Sequence, residues 1–424
     1  MFWGVNLDLK MKQITIILFL LFPVSLFAQD IVEFRGVKRT GHYSETGLLK
    51  QWPETGPEMI LKIEGVGKGY SQPIFADEKI FITGIKEDTT DILSAYNMEG
   101  EMLWDMPYGR SWTASYIESR STPTYENGKI FIVSGTCQVS CVDADSGKIL
   151  WSVDAMEEYG AEPHKHGESE SLLLIGDAVL YTTGGEQNTM IALDKNDGSL
   201  VWRTKSLGGA KSYASAVQIN HNGKDIILAQ TTKYLIAIDP RNGDILWYYD
   251  LIQYHLHSQG VGAQTNPPLY HNGEIFVTSG YEHPGIMFSL SEDGKSVEFK
   301  WKNDTLDTHH GGVVLVNGII YGSNWQNNAN GNWAAVDWET GETLWEQKWE
   351  NKGSIIYADG MLYLYEEKRG NIALAEPSAD SLKIISTFKI DAGAGPHWAH
   401  PAIYDGKFFI RHGDVLLIYN IKKD

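Results

Sequence analysis

The sequence predicts an all-β protein, an eight-bladed β-propeller of four-stranded antiparallel blades. Three observations carry that reading. The phrase Asp-x-x-x-Gly-x-x-x-Trp stands clearly in four places, at Asp143 to Trp151, Asp194 to Trp202, Asp239 to Trp247 and Asp337 to Trp345. A shorter copy ends at Trp104 and a longer one at Trp301, so six Trp are separated by 47, 51, 45, 54 and 44 residues. Finally, eight short apolar segments recur ahead of turn residues, each opening a new copy. Four short strands in each repeat of this length fit propeller blades.

Residues 1–28 are expected to lie outside that fold. Lys10 and Lys12 precede the apolar run Ile14 to Phe27, and Ala28 stands before Gln29-Asp30. A positive segment, a short apolar run and a small residue at the cut make a secretory signal peptide. The run, broken by Pro23, is too short for the ~20 residues of a comfortable membrane-spanning helix. Met11 reads as the better start. No Cys follows the small residues, so lipid attachment is not expected, and the product is periplasmic or secreted with no transmembrane segment. Residues 29–424 then form a single propeller domain. At roughly 100–200 residues per domain the length would suggest several domains, but one small unit repeated eight times explains it better.

The first strands start at Pro73, Pro123, Pro268 and Pro401, with weaker versions near Leu173, Ala216, Val313 and Ile355. Asn127-Gly128, Asn272-Gly273 and Asp405-Gly406 follow them, and such dipeptides between alternating strands are strong hairpin signals. In Asp-x-x-x-Gly the carboxylate is expected to bond nearby N–H groups while Gly takes positive φ. The terminal Trp suits a wedge between neighbouring sheets. A linear solenoid would need capping repeats. Here the copy from Pro401 to Ile421 supplies only three strands, whereas Gly56 to Leu61 resembles an isolated fourth strand. Leu61 lies 43 residues before Trp104. The N-terminal strand should complete the eighth blade, and a closed ring has no exposed edges.

The Ala-x-Asp-x-x-x-Gly-x-x-x-Trp phrase resembles the docking motif of the pyrroloquinoline quinone (PQQ)-type propeller repeat. That superfamily includes quinoprotein alcohol dehydrogenases and the propeller lipoprotein of outer-membrane β-barrel assembly, and the resemblance covers nearly all of residues 31–421. His309-His-Gly-Gly, Gly395-Pro-His-Trp-Ala-His400 and Ile410-Arg-His-Gly-Asp414 are similar to a secreted bacterial subgroup. The resemblance implies the fold strongly and a function weakly, because the repeat is a packing device.

In such propellers the first strand lines the central channel. Aligning the copies three residues before it yields Tyr70, Arg120, Glu170, Tyr213, Thr265, His310, Lys352 and Trp398, none of them aliphatic. Adjacent columns add Gln264, His309, His397, Gln72 and His400. A packing repeat should conserve residue type from copy to copy, so this diversity points to a polar binding site at the channel mouth. Arg120 and Lys352 suit an anionic group, and Tyr70, Tyr213 and Trp398 suit a flat ligand or a sugar ring. The alternative is a water-filled funnel whose strand ends are polar because they meet solvent.

The lead expectation is therefore an exported module that binds a small anionic or sugar-like ligand or a protein partner, without established catalysis. The formal charge of −19, which becomes −20 once residues 1–28 are removed, argues against nucleic acid. The alternative is a PQQ- or metal-dependent oxidoreductase. By resemblance, PQQ with calcium would need an adjacent-cysteine disulfide, a Trp floor and an Asp base. Cys137 and Cys141 are not adjacent, and the aligned ring has no Asp. They straddle a hairpin turn and read as two buried thiols, with a disulfide left open. His164-x-His166, His255-x-His257, His309-His310 and His397-x-x-His400 could chelate a metal, although none has the spacing of a known zinc motif. The loop Glu162 to Glu170 could lean over the channel mouth, and Trp325 in the Asn-rich loop Ser323 to Trp333 could be a stacking platform.

Overall fold

Asn127-Gly128, Asn222-Gly223, Asn272-Gly273, Asn317-Gly318, Asp359-Gly360 and Asp405-Gly406 all hold both residues at positive φ. That is the backbone of a two-residue hairpin turn matched to strand twist. In the computed structural model, which describes residues 1, 30–87, 89–255 and 264–423, each such turn joins the first two strands of a blade. The expected signal segment, from residue 2 onward, and His257 lie outside the described residues.

Eight four-stranded antiparallel blades form the ring. The first runs Ile74–Ala76, Lys79–Lys86, Thr90–Asn97 and Met102–Arg110. The eighth combines Ala402–Tyr404, Lys407–His412 and Val415–Asn420 with the N-terminal strand Glu58–Glu64, antiparallel to Val415–Asn420. The ring thus closes as the sequence implies. The second and third strands are buried on both faces because each blade packs against neighbours on both sides, while the fourth strands alternate buried and exposed positions. Among the described residues no helix is long and apolar enough to cross a membrane.

The repeated phrase acts between blades. Asp143 Oδ1 accepts from the Ser146 N–H at 2.9 Å, and Asp337 Oδ1 accepts from Thr340 N–H at 2.8 Å, which fixes the turn before the outer strand. The glycine of that turn lies under the Trp of the preceding blade. A Cβ at Gly243 would sit 2.5 Å from Trp202, and one at Gly198 would sit 2.8 Å from Trp151. Each indole N–H then donates to a carbonyl of the next blade: Trp151 to Lys195, Trp202 to Pro240, Trp247 to Gly294, Trp301 to Trp338 and Trp345 to Ser378, all at 2.9–3.1 Å. The Trp104 N–H is buried without a partner.

The segment after Asp30 enters the central channel. Ile31 pairs with Phe75 in the first blade, and His42–Tyr43 runs parallel to the inner strand Gly353–Ala358 of the seventh. Between them Arg35 donates to the carbonyls of Gly311, Val313 and Ile355, and Arg39 to those of Leu172 and Ala216. With Val32 accepting from the Tyr125 N–H and the Tyr43 hydroxyl donating to the Pro401 carbonyl, the segment bonds to seven of the eight blades among the described residues. Nothing in the repeat pattern announces it.

Trp202→Ala should cost about 3–5 kcal/mol through lost burial and the cavity left behind. Trp104→Ala, at a half-buried indole with no hydrogen bond, should cost clearly less. Urea unfolding of the two variants checks the order; equal losses would mean that the indole hydrogen bond and the depth of burial do not set the strength of the inter-blade contact.

Candidate functional site

At the channel mouth, where the chain arrives at each first strand, lies a cavity of about 450 Å³. Its floor includes Phe34, whose ring meets His400 edge-on at 5.0 Å. The chain's own N-terminal segment thus contributes to the lining of this cup. A second cavity, of about 400 Å³ and lined by Glu33, Lys38 and Arg39 among others, lies along the other side of the same segment.

Eight residues expected at the mouth line the cup: Tyr70, Arg120, Tyr213, Thr265, His309, His310, Trp398 and His400. The Trp398 ring gathers three neighbours, Tyr70 at 5.0 Å, Tyr116 at 5.2 Å and His310 at 5.2 Å. Arg120 donates to the carbonyls of Glu118, Ser115 and Tyr116, and its guanidinium lies 6.0 Å from the Tyr70 ring. Burial pulls its pKa below the ordinary arginine value, with Tyr213 and Tyr70 acting the other way. His400 donates from Nε2 to the His310 carbonyl at 2.8 Å, which leaves Nδ1 to accept from Arg35 at 2.9 Å.

Five expected residues sit behind the wall instead, among them Gln72, fully buried, whose side-chain oxygen accepts from the Arg35 N–H at 3.0 Å. Glu170 is fully buried and bonded to Lys211 at 2.7 Å, and Lys211 also meets Glu168 at 2.8 Å. Burial pushes the Glu170 carboxyl up while Lys211 pulls it down. Lys352 is spent on Glu367 at 2.7 Å and on the carbonyls of Asn327 and Asn328. Gln264 accepts two backbone N–H groups through its own carbonyl and meets His255 through its side chain. His397 stacks on His412 at 3.6 Å and bonds the Tyr365 hydroxyl at 2.7 Å. The pairing of Arg120 with Lys352 as two free cations therefore reduces to Arg120.

Other lining residues escaped the alignment. Lys165 and His166 come from the loop expected to lean over the mouth, and it does so: His166 lines the cup while His164 is buried against Tyr213 at 4.2 Å. Tyr281, from the turn Gly280 to His283, meets His309 at 4.6 Å, and burial pushes its hydroxyl up to about 12. Glu367 follows the second strand of the seventh blade and sits in a charged run that reads as solvent-facing. Trp325 bonds Asn328 and packs on Tyr281 at 5.4 Å, but lines a neighbouring cavity with Asp307.

The groups that the quinone reading requires do not meet here. Cys137 and Cys141 are free, buried thiols inside the second blade, Cys141 on the strand Gln138–Asp143 and Cys137 at the turn before it. Burial raises the first to about 12 and the second to about 11. Among the described residues, no Asp and no cysteine line the cup. The potential metal donors there are His309, His310 and Glu367, with ligand atoms within 4.8 Å of one another.

Burial also pushes His164, His283 and His397 down to about 3. The unfolded chain takes up these protons near the ordinary 6.5, the folded chain only near 3. Their contribution to stability is complete above about pH 6.5 and is lost as the pH falls toward 3. His397→Gln should lower proton uptake on unfolding by about one proton at pH 5, read from the pH dependence of urea unfolding; an unchanged slope would contradict the burial assigned to that ring.

A family model described as outer membrane protein assembly factor BamB matches residues 89–347. The BamB of Yersinia pestis is 24% identical over 284 residues, covering 64% of this chain and 67% of that protein, so the chain spans about two thirds of that relative. The crystal structure of BamB from Moraxella catarrhalis superposes with a TM-score of 0.63 at 14% identity, covering 86% of this chain and 99% of that one. The quinohemoprotein alcohol dehydrogenase of Comamonas testosteroni superposes with a TM-score of 0.65 at 11% identity, covering 93% and 81%.

Proposed function

The chain belongs to the family of outer membrane protein assembly factor BamB, and we propose that it is a protein-binding propeller of the cell envelope that engages its partner at the cup-bearing face. The observation that carries this reading is the aromatic lining of the cup. Phe34, Tyr70, Tyr116, Tyr213, Tyr281 and Trp398 all face one cavity. A volume of about 450 Å³ accommodates a few side chains of a partner's loop. Aromatic walls bury large area at low conformational cost, and they are enriched where binding energy concentrates.

Export is part of the proposal, resting on the signal-like residues 1–28, with a periplasmic or secreted product. The cup also suits a small anionic or sugar-like ligand. Arg120 is held by carbonyl groups, which orient a guanidinium without cancelling its charge. Oxidoreductase chemistry of the PQQ type has less support, because among the described residues neither the Asp base nor the cysteine cover of that reading lines the cup.

Photo-crosslinking from position 116, at the rim, tests the reading in the producing cell. A discrete protein adduct is expected there, weakened at least tenfold by Trp398→Ala, with no such adduct from position 220 beside the opposite cavity. The same adducts from both positions, or an adduct indifferent to Trp398→Ala, would refute the assignment.

A further inference from the structure

We propose that His309, His310 and Glu367 form a divalent transition-metal site on the wall of the cup, with open coordination positions facing its interior. Two donor atoms on one such ion, each at about 2.1 Å, lie at most about 4.2 Å apart. His310 Nε2 and Glu367 Oε2 are already 3.9 Å apart. The full set of donors falls within 4.8 Å, so a small side-chain rotation brings all three onto one ion.

A second observation points to the same place. His309 Nδ1 is buried and has no hydrogen-bond partner. A buried polar atom left unpaired costs free energy, and a metal bond is one way to satisfy it. The ring itself is held firmly: its face meets the His310 ring at 4.1 Å and its edge meets Tyr281 at 4.6 Å. Its backbone carbonyl accepts from Asn266 at 2.8 Å and from the Thr265 hydroxyl.

Glu367 is arranged as a ligating carboxylate usually is, with one oxygen held by Lys352, the other turned to the imidazole, and Trp398 within reach of the carboxylate. Oε1 accepts from Lys352 at 2.7 Å, while Oε2 turns toward His310. Hydrogen bonds to the far side of a ligating carboxylate fix its orientation. Lys352 is itself locked by the Asn327 and Asn328 carbonyls, which hold its ammonium on the Oε1 side. Its positive charge opposes a dication and will weaken binding relative to an isolated triad.

Two imidazoles and one carboxylate, with no thiolate, select first-row ions that accept nitrogen and oxygen, such as Zn²⁺ or Co²⁺, over Ca²⁺ and Mg²⁺. Three protein ligands leave at least one position for an exogenous group. The cup beyond it holds Arg120 and Trp398, so an anionic oxygen on an incoming ligand could complete the coordination and meet the guanidinium together. The metal site stands apart from the protein-partner reading: the ion binds without a partner, and a partner can enter without the ion.

The test is Co²⁺ titration of the full chain, freed of any purification tag, followed by visible absorption and by Zn²⁺ competition. One ion per chain is expected. His310→Gln and His309→Phe should each weaken binding at least tenfold, and the Phe variant keeps the ring packed on Tyr281. The His271→Gln variant, on the exposed end of the first strand of the fifth blade, should bind as the parent does. No stoichiometric binding, or binding that His309→Phe and His310→Gln leave unchanged, overturns the site. Glu367→Gln is judged only where its far-ultraviolet spectrum matches the parent, because it strands Lys352 in the interior.

Discussion

The ring rests on an indole packed onto the next blade: at Trp104, Trp151, Trp202 and Trp301 it lies over a turn glycine, and for the last three its N–H closes onto a carbonyl of that same turn. A side chain on that glycine would collide with the ring, as the 2.5 Å approach at Gly243 and Gly341 makes plain. The positive φ of the turn excludes most other residues independently. Aspartate sets the turn, glycine admits the indole, and tryptophan fixes the angle to the previous blade. Because this contact lies toward the outer strands, it places no demand on the inner strand ends. Those ends are free to differ from blade to blade, which is why copies of one fold unit can bring Arg, Thr, His, Tyr and Trp side chains to one mouth.

The contact is replaced where the chain closes on itself. The outer strand of the eighth blade carries Leu61 where a Trp would stand, and Leu61 with Ile63 lies over Gly100 of the first blade. The outer strand of the seventh has Ser386 at the corresponding place, opposite Leu374. Trp52, supplied from a different stretch of chain, donates its backbone N–H to the Ser386 hydroxyl and packs against Phe388 at 5.1 Å. Arg411 finishes the seam, fully buried, donating to Ser71, Thr83 and Gly67 across it. An interlock made of aliphatic and aromatic groups from the N-terminal segment thus ties both ends of the chain together.

The blades, the six wedging Trp, the closing strand and the mouth itself were legible because each leaves a periodic trace. The side-chain directions at the mouth were not. Glu170 and Tyr213 occupy the same column of the repeat, yet one is consumed by Lys211 and the other faces the cup. Lys211 lies 41 residues away, in the next copy, so no local pattern reports the pairing. Lys352 and Glu367 pose the same problem within one blade. The segment from Ile31 to Tyr43 belongs to no repeat, so its entry into the channel left no signature beyond a pair of arginines.

That segment decides what kind of mouth the propeller has. Inner strands present unpaired backbone groups to the channel, as any sheet edge does, and open water would satisfy them just as well. Here Val32 accepts from Tyr125, Gly41 accepts from Tyr357, and two arginines cap the remaining carbonyls. Carbonyl dipoles solvate a guanidinium but leave its unit charge in place. The Lys352 charge is offset by Glu367, and Lys211 is outnumbered by its two carboxylates; Arg35 beneath the cup and Arg120 on its wall have no ion-pair partner among the described contacts. In a chain with a formal charge of −19, Arg120 therefore sets an unpaired cation among the aromatic rings of the mouth. A partner entering as proposed would meet that charge beside Trp398 and Tyr70, with Phe34 of the protein's own N-terminal segment in the same lining.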